Sequence, residues 1–155
     1  KIENFVKNGK KLNSENLLKL INLYENHSIS ELINNCLAKN KKNTIKILNE
    51  NNYTNEDCIL ISRTFLSQSK KILKLSTEYS KNKNIDLTIS LARPPIFWKD
   101  KEITKKQIHE WKPENLRKLI HELNEIELQI KKNLNNSIYL ISNFILEKSI
   151  SKSNN

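Results

Sequence analysis

The chain has 155 residues and a formal net charge of +10, and this length suits one domain that buries roughly 68 to 70% of its unfolded surface. Its single glycine, Gly9, excludes an ATP-binding glycine loop, because such a loop needs several glycines to bring backbone N–H groups to phosphates. The shortage of glycine and of β-branched alternation favours an all-α fold. The sequence has no run of about 18 apolar residues and no signal peptide, so we expect a soluble, cytoplasmic protein without a membrane span. Since Met is absent, we expect the chain to be a piece, the C-terminal part, of a longer protein.

The basic composition alone is weak support for nucleic-acid binding. Of the 27 basic residues 24 are Lys and 3 are Arg, Asn is as abundant as Lys, and the lysines are dispersed along the chain. Coding bias in an A+T-rich genome accounts for this pattern without selection for phosphate contacts. A nucleic-acid-binding module therefore remains an alternative, not the leading interpretation.

The cysteines and histidines form no recognisable metal site. Cys36 and Cys58 are 22 residues apart among apolar neighbours, without a CxxC pair, and this favours reduced thiols in the core. His27, His109 and His121 are scattered and are expected to be exposed or to cap helices.

The first helical pattern lies near the N-terminus. Residues 1–7 resemble the tail of a helix, and Asn13 or Ser14 is predicted to cap a helix that runs to about Glu25. Its apolar face comprises Leu17, Leu18, Leu20, Ile21 and Tyr24.

A second helix is predicted to begin at Ser28, because Ser28 and Glu31 have capping-box spacing. Apolar residues then recur at intervals of 3 and 4: Ile29, Leu32, Ile33, Cys36 and Leu37. A short helix over residues 44–50 follows, so the two are expected to form an antiparallel pair.

The next pattern begins at Thr54 and predicts the central helix. Its apolar residues cover more than a third of the circumference at about 100° per residue, which implies packing on two sides. A short helix from about Ile85 to Leu91 is predicted to stop at Arg93, because a residue before proline is pushed out of the α region.

The stretch PPIFW occupies residues 94–98. Pro95 suits the first turn of a helix, which we expect to continue to Trp111. One arc of about 140° on this helix is predicted to be core and comprises Ile96, Phe97, Ile103, Ile108 and Trp111. Trp98 lies outside that arc, so it either covers the preceding helix or contacts another chain.

Pro113 begins the next predicted helix, with Glu114 in its first turn and Lys132 in its last. Its stripe comprises Leu116, Leu119, Ile120, Leu123, Ile126 and Ile130. A final helix, SIYLISNFILEKSI, is apolar around most of its circumference, so it is either sandwiched or contacts a partner subunit. Residues 151–155 are expected to be a frayed, disordered tail.

Glu127 lies in the middle of the stripe of the Pro113 helix. A carboxylate there must be paired, and Lys131, Arg63 and Arg93 are the candidate partners. Alternatively the stripe stops short of Glu127, which would leave an exposed ion pair with Lys131 worth about 0.3 to 0.5 kcal/mol.

The second half of the chain resembles a known family. ARPPIFWKDK, then Trp111, then LRKLIHELNEIELQIKK is similar to the C-terminal domain of the delta subunits of bacterial DNA polymerase III, which belong to the clamp loader. The positions that carry the resemblance are Pro94, Pro95, Phe97, Trp98, Lys99, Trp111, Glu127 and Lys131. The segments LNSENLLKLI and SISELINNCLAKNKKNTIKIL extend it to about residues 1–148.

The resemblance implies an architecture and a role. It implies a collar-type helical bundle of about seven or eight helices over residues 28–150, after the end of a small lid domain over residues 1–26. Such a collar oligomerises with the other clamp-loader subunits, while the sliding clamp is bound by an N-terminal half that lies outside this chain. The whole complex contacts DNA and belongs to a DNA-directed DNA polymerase. For this chain the resemblance implies no ATP hydrolysis and no cofactor. The eight positions that carry the resemblance, together with Arg93, become candidates for interface or structural roles.

Two other interpretations stay open. One is a helical nucleic-acid-binding module that uses Lys and exposed aromatic side chains. The other is a helical scaffold of unrelated ancestry, since helical stripes are generic. An enzyme is the least supported class, because no Ser/His/Asp set, carboxylate pair or metal cluster stands out in the sequence.

Overall fold

The structure, a computed structural model, describes residues 13–151, which contain seven α-helices and no strand. The helices are α1 Ser14–Leu37, α2 Lys41–Glu50, α3 Cys58–Asn82, α4 Ile85–Ser90, α5 Lys101–Glu110, α6 Pro113–Lys132 and α7 Ser137–Lys148. Single 3-10 turns lie at Asn55–Asp57, Trp98–Asp100 and Leu134–Asn136. The all-α fold is thereby confirmed, whereas the collar type stays a prediction. The predicted helical tail over residues 1–7 and the tail residues 152–155 lie outside the described residues.

Helix α3 is the centre of the bundle, as its wide apolar face predicts. It packs along α6 and also contacts α1, α4, α5 and α7. Phe65 of α3 is fully buried and meets Phe144 of α7 edge to face, with 5.8 Å between ring centroids. No helix within residues 13–151 combines the length and apolarity that are needed to cross a bilayer.

Short polar side chains begin most of the helices. The side chains of Asn13, Asn40 and Asn84 each accept a hydrogen bond from a backbone N–H in the first turn of α1, α2 and α4. Thr54 and Asp57 form a reciprocal capping box ahead of α3. These caps satisfy N–H groups that have no partner within the helix, so the predicted starts near Asn13 and Thr54 are confirmed.

The predicted break between two helices at Ser28 is wrong, because α1 is continuous from Ser14 to Leu37. Ser28 lies inside this helix, where its Oγ donates to the Glu25 carbonyl over 2.9 Å and accepts from the Tyr53 hydroxyl over 3.1 Å. A serine can bond the preceding turn of its own helix as readily as it caps a new one. The spacing of Ser28 and Glu31 therefore does not mark a helix start here.

The helix predicted from Pro95 to Trp111 is also shorter than expected. Helix α5 begins only at Lys101, and Trp111 is its C-terminal cap residue, with extended φ −123° and ψ 115°. Phe97 is likewise extended, with φ −60° and ψ 139°. Of the five residues predicted to be core, Ile96, Ile108 and Trp111 are buried and Ile103 is half-buried, although only Ile103 and Ile108 lie within α5.

Both cysteines are buried and free, so their predicted place in the core is confirmed. The Cys36 thiol donates to the Ile145 carbonyl over 3.3 Å. Burial raises the pKa of Cys36 to about 12 and the pKa of Cys58 to about 11. Both thiols are therefore protonated, and unreactive as nucleophiles, at neutral pH.

Candidate functional site

The segment between α4 and α5, residues 91–100, presents two adjacent aromatic side chains on the surface. Two residues of this segment, Ala92 and Ile96, are only 8% and 7% exposed and pack in the hydrophobic core. Phe97 and Trp98 follow directly and are 58% and 68% exposed. We call these two residues the aromatic pair.

The predicted core position of Phe97 is wrong, and the extended backbone explains why. Successive side chains of an extended chain point to opposite sides, so Ile96 packs inward while Phe97 points outward. Trp98 keeps most of its ring in solvent, so it does not cover the preceding helix. Of the two alternatives for Trp98, contact with another chain is the one still open.

The aromatic pair is compact and has a cation beside it. The ring centroids of Phe97 and Trp98 are 5.9 Å apart, with a 48° angle between the ring planes. Lys99 Nζ lies 5.4 Å from the Trp98 ring centroid, within cation–π range. Pro94, Pro95 and Lys99 are exposed around the pair, so five of the sequence-predicted positions share one surface.

Trp111 is separate from that surface and is a core residue, as predicted. Its Nε1–H donates to the Leu37 carbonyl over 2.8 Å, and its own carbonyl accepts from Ser76 Oγ over 2.8 Å. Lys39 Nζ lies 3.8 Å from the ring centroid. Because these partners belong to α1, α3 and the turn after α1, Trp111 holds three parts of the bundle together.

Glu127 is covered and paired, which favours the first of its two interpretations. Its side chain is 15% exposed and contacts Lys131 Nζ at 2.9 Å and Arg63 Nε at 3.4 Å. The hydrogen bond from Lys131 lowers the pKa of Glu127, against the opposing effect of burial. The third candidate, Arg93, instead donates to the Ala92 carbonyl over 3.0 Å. The contact between Glu127 and Arg63 therefore joins α6 to α3, whereas Lys131 pairs with Glu127 within α6.

Two concave features were not anticipated from the sequence. A cleft of about 230 Å³ lies between α3 and the start of the 91–100 segment, with Lys71, Lys74 and Arg93 at its edge. A groove of about 780 Å³ lies between α1 and the α2–α3 connection, where Tyr24 and Tyr53 contribute to its lining. The pair Lys71 and Lys74, one turn apart beside apolar Leu75, was the available sequence signal for the cleft.

Comparison with known proteins adds no relative. No family model, no curated protein and no solved structure matches the chain. The resemblance to delta subunits accordingly depends on the order of the motifs in the sequence.

The described surface carries no group of potential metal ligands. Within residues 13–151, no three His, Cys, Asp or Glu side chains are grouped so that they could hold a metal ion. His109, which is exposed, contacts the Tyr79 ring edge to face at 5.5 Å between centroids. What the described surface offers a ligand is exposed aromatic rings, apolar clefts and unpaired cations.

Proposed function

We propose that the chain is a non-catalytic helical module that helps to assemble a bacterial sliding-clamp loader during DNA replication in the cytoplasm. Its role would be that of the collar domain of a delta subunit. The observation that carries this proposal is the aromatic pair, Phe97 and Trp98, exposed on an anchored segment. Aromatic residues are enriched in the centres of protein interfaces, and Trp is among the commonest energetic hot spots. The motif order around residues 94–131 supports the choice of family.

The aromatic pair has enough surface to matter in assembly. An aromatic side chain buries about 150 to 250 Å² when it is fully covered. Roughly two thirds of that is still available on Phe97 and Trp98, so at about 25 cal/mol per Å² each ring would contribute about 3 kcal/mol on docking. Because Ala92 and Ile96 already fix the segment, little of this gain is offset by ordering the backbone.

The experiment compares two exposed aromatic residues in their effects on assembly. Trp98→Ala should weaken the affinity for the other clamp-loader subunits by about tenfold or more, equal to about 1.4 kcal/mol, and co-elution on a sizing column should show the loss. Tyr24→Ala is the matched control: Tyr24 is 59% exposed but lies before the expected collar. Both variants should keep the melting temperature of the free chain nearly unchanged, because surface truncations usually alter stability by less than about 0.5 kcal/mol. If Trp98→Ala lowers the melting temperature and leaves assembly intact, Trp98 is an ordinary structural residue.

A second candidate function is binding of single-stranded nucleic acid. Lys99 Nζ lies 5.4 Å from the exposed Trp98 ring, and bases stack on such rings while lysines contact phosphates. Fluorescence anisotropy with a labelled oligo-dT at several salt concentrations tests this candidate. Affinity that falls steeply with salt, and that is lost in Trp98→Ala, would favour it. Weak binding without dependence on Trp98 would exclude it.

A further inference from the structure

The cleft between α3 and α4 has an apolar floor. Leu75 of α3 and Leu91, Ala92 and Pro94 of the segment after α4 line it. Leu75 and Ala92 are buried beneath the surface, whereas Leu91 is 61% exposed at the mouth. A recess of about 230 Å³ with such a floor is suited to one aliphatic side chain of a ligand.

Three cations surround this floor. Lys71 and Lys74 are one helical turn apart, so they lie on the same face of α3, and Arg93, in the segment after α4, lines the same cleft. Lys74 Nζ and the Arg93 carbonyl oxygen are 3.5 Å apart, so the two edges of the cleft lie close together.

The charges of these cations are not neutralised within the described part of the chain. No carboxylate of residues 13–151 lies within ion-pair distance of Lys71, Lys74 or Arg93. The one acidic residue that lines the cleft, Glu78, pairs with Lys81 at 3.3 Å. The cleft therefore combines an apolar floor with three positive charges available to a ligand.

We propose that this cleft binds an acidic peptide segment of a partner protein. One aliphatic side chain of the segment would enter the recess, and flanking carboxylates would pair with Lys71, Lys74 and Arg93. Nucleic acid fits less well, because bases need flat aromatic faces for stacking and no lining residue of the cleft is aromatic. The cleft is distinct from the aromatic pair, and the proposal does not depend on which complex the chain joins.

The test uses a fluorescein-labelled peptide of about ten Asp and Glu residues with one central Leu, titrated with the full chain at low salt, where charge contacts are least screened. Lys71→Glu combined with Lys74→Glu should weaken binding by about tenfold, since charge reversal removes attraction and adds repulsion. The matched control reverses two exposed lysines elsewhere, Lys42→Glu with Lys118→Glu, and should change the affinity by less than about twofold. Equal weakening by both pairs would overturn the proposal, because the peptide would then respond only to net charge.

The apolar half of the proposal has its own test. Leu91→Ser at the exposed mouth, or Ser in place of the central Leu of the peptide, should each weaken binding by about threefold or more. Amide NMR signals of Leu75, Leu91 and Ala92 should shift on addition of the peptide. Unchanged affinity in both cases, or displacement of the peptide by an oligo-dT of equal charge, would contradict a peptide site. Leu91→Ser keeps the test decisive even if the double lysine variant fails to fold.

Discussion

Replacing each of the two tryptophans in turn tests the packing assigned to Trp111, because Trp111 is buried and Trp98 is exposed. Trp111→Phe removes the Nε1–H that donates to the Leu37 carbonyl over 2.8 Å. Leu37 is the last residue of α1, so its carbonyl has no acceptor role within the helix. Without the indole N–H, this buried carbonyl loses its partner.

The expected cost follows from two terms. A buried carbonyl left without a hydrogen bond costs about 1 to 3 kcal/mol, and the smaller ring leaves a void worth about 1 kcal/mol more. We therefore expect Trp111→Phe to lower the free energy of unfolding by about 2 to 4 kcal/mol. With a urea m-value near 2 kcal/mol per M, the unfolding midpoint should fall by about 1 to 2 M.

The assay is urea unfolding followed by far-UV circular dichroism, and Trp98→Phe is the matched control. Trp98 is 68% exposed, so its replacement should change the free energy of unfolding by less than about 0.5 kcal/mol. Equal midpoints for the two variants would refute the role assigned to Trp111. An altered m-value would instead indicate that the compactness of one of the states has changed.

Three further predictions concern other parts of the bundle. Glu127→Gln should lower stability at pH 7 by about 0.5 to 1 kcal/mol, and urea titrations at several pH values should show the difference vanishing as the pH falls below about 4.5. The hydrogen bond from Lys131 lowers the pKa of Glu127 from 4.5. The ion pair therefore stabilises the folded state fully above about pH 4.5, and this stabilisation is lost as the pH falls through the lowered pKa and the carboxylate is protonated. Cys36 and Cys58, whose burial raises each pKa, should react with a thiol reagent at pH 8 only after unfolding; rapid labelling of the native chain would contradict their burial. Backbone chemical shifts at residues 24–28 should be helical, since α1 is continuous; coil shifts there would restore the predicted break.

Most of the fold could be predicted because the apolar stripes are long. The stripes of α3 and α6 extend over many turns, the capping box of Thr54 and Asp57 precedes α3, and Pro113 is the first residue of α6. The break at Ser28 was mistaken because a hydroxyl can cap a new helix or bond the turn before it, and only the neighbouring elements decide between the two. Here Tyr53, which is 25 residues away, supplies the second partner of that hydroxyl.

The candidate site was harder to predict, because a helical projection assumes one continuous helix. Placing residues at about 100° each from Pro95 put Phe97 in the core, whereas the chain is extended there and α5 begins at Lys101. Trp98 lies outside the core, as predicted, and is 68% exposed. Lys71 and Arg93 come to line one cleft only because α3 packs against the segment after α4, and such a contact between distant residues leaves no local pattern in the sequence.

Reconstitution is the experiment that tests the proposal that this chain is an assembly module of a clamp loader. The chain would be mixed with the remaining clamp-loader subunits of the same organism, and the mass of the product measured by size-exclusion chromatography with light scattering. We predict one complex that contains the chain in fixed stoichiometry and that weakens in Trp98→Ala. A chain that elutes alone at every concentration, while the other subunits assemble without it, would contradict the claim.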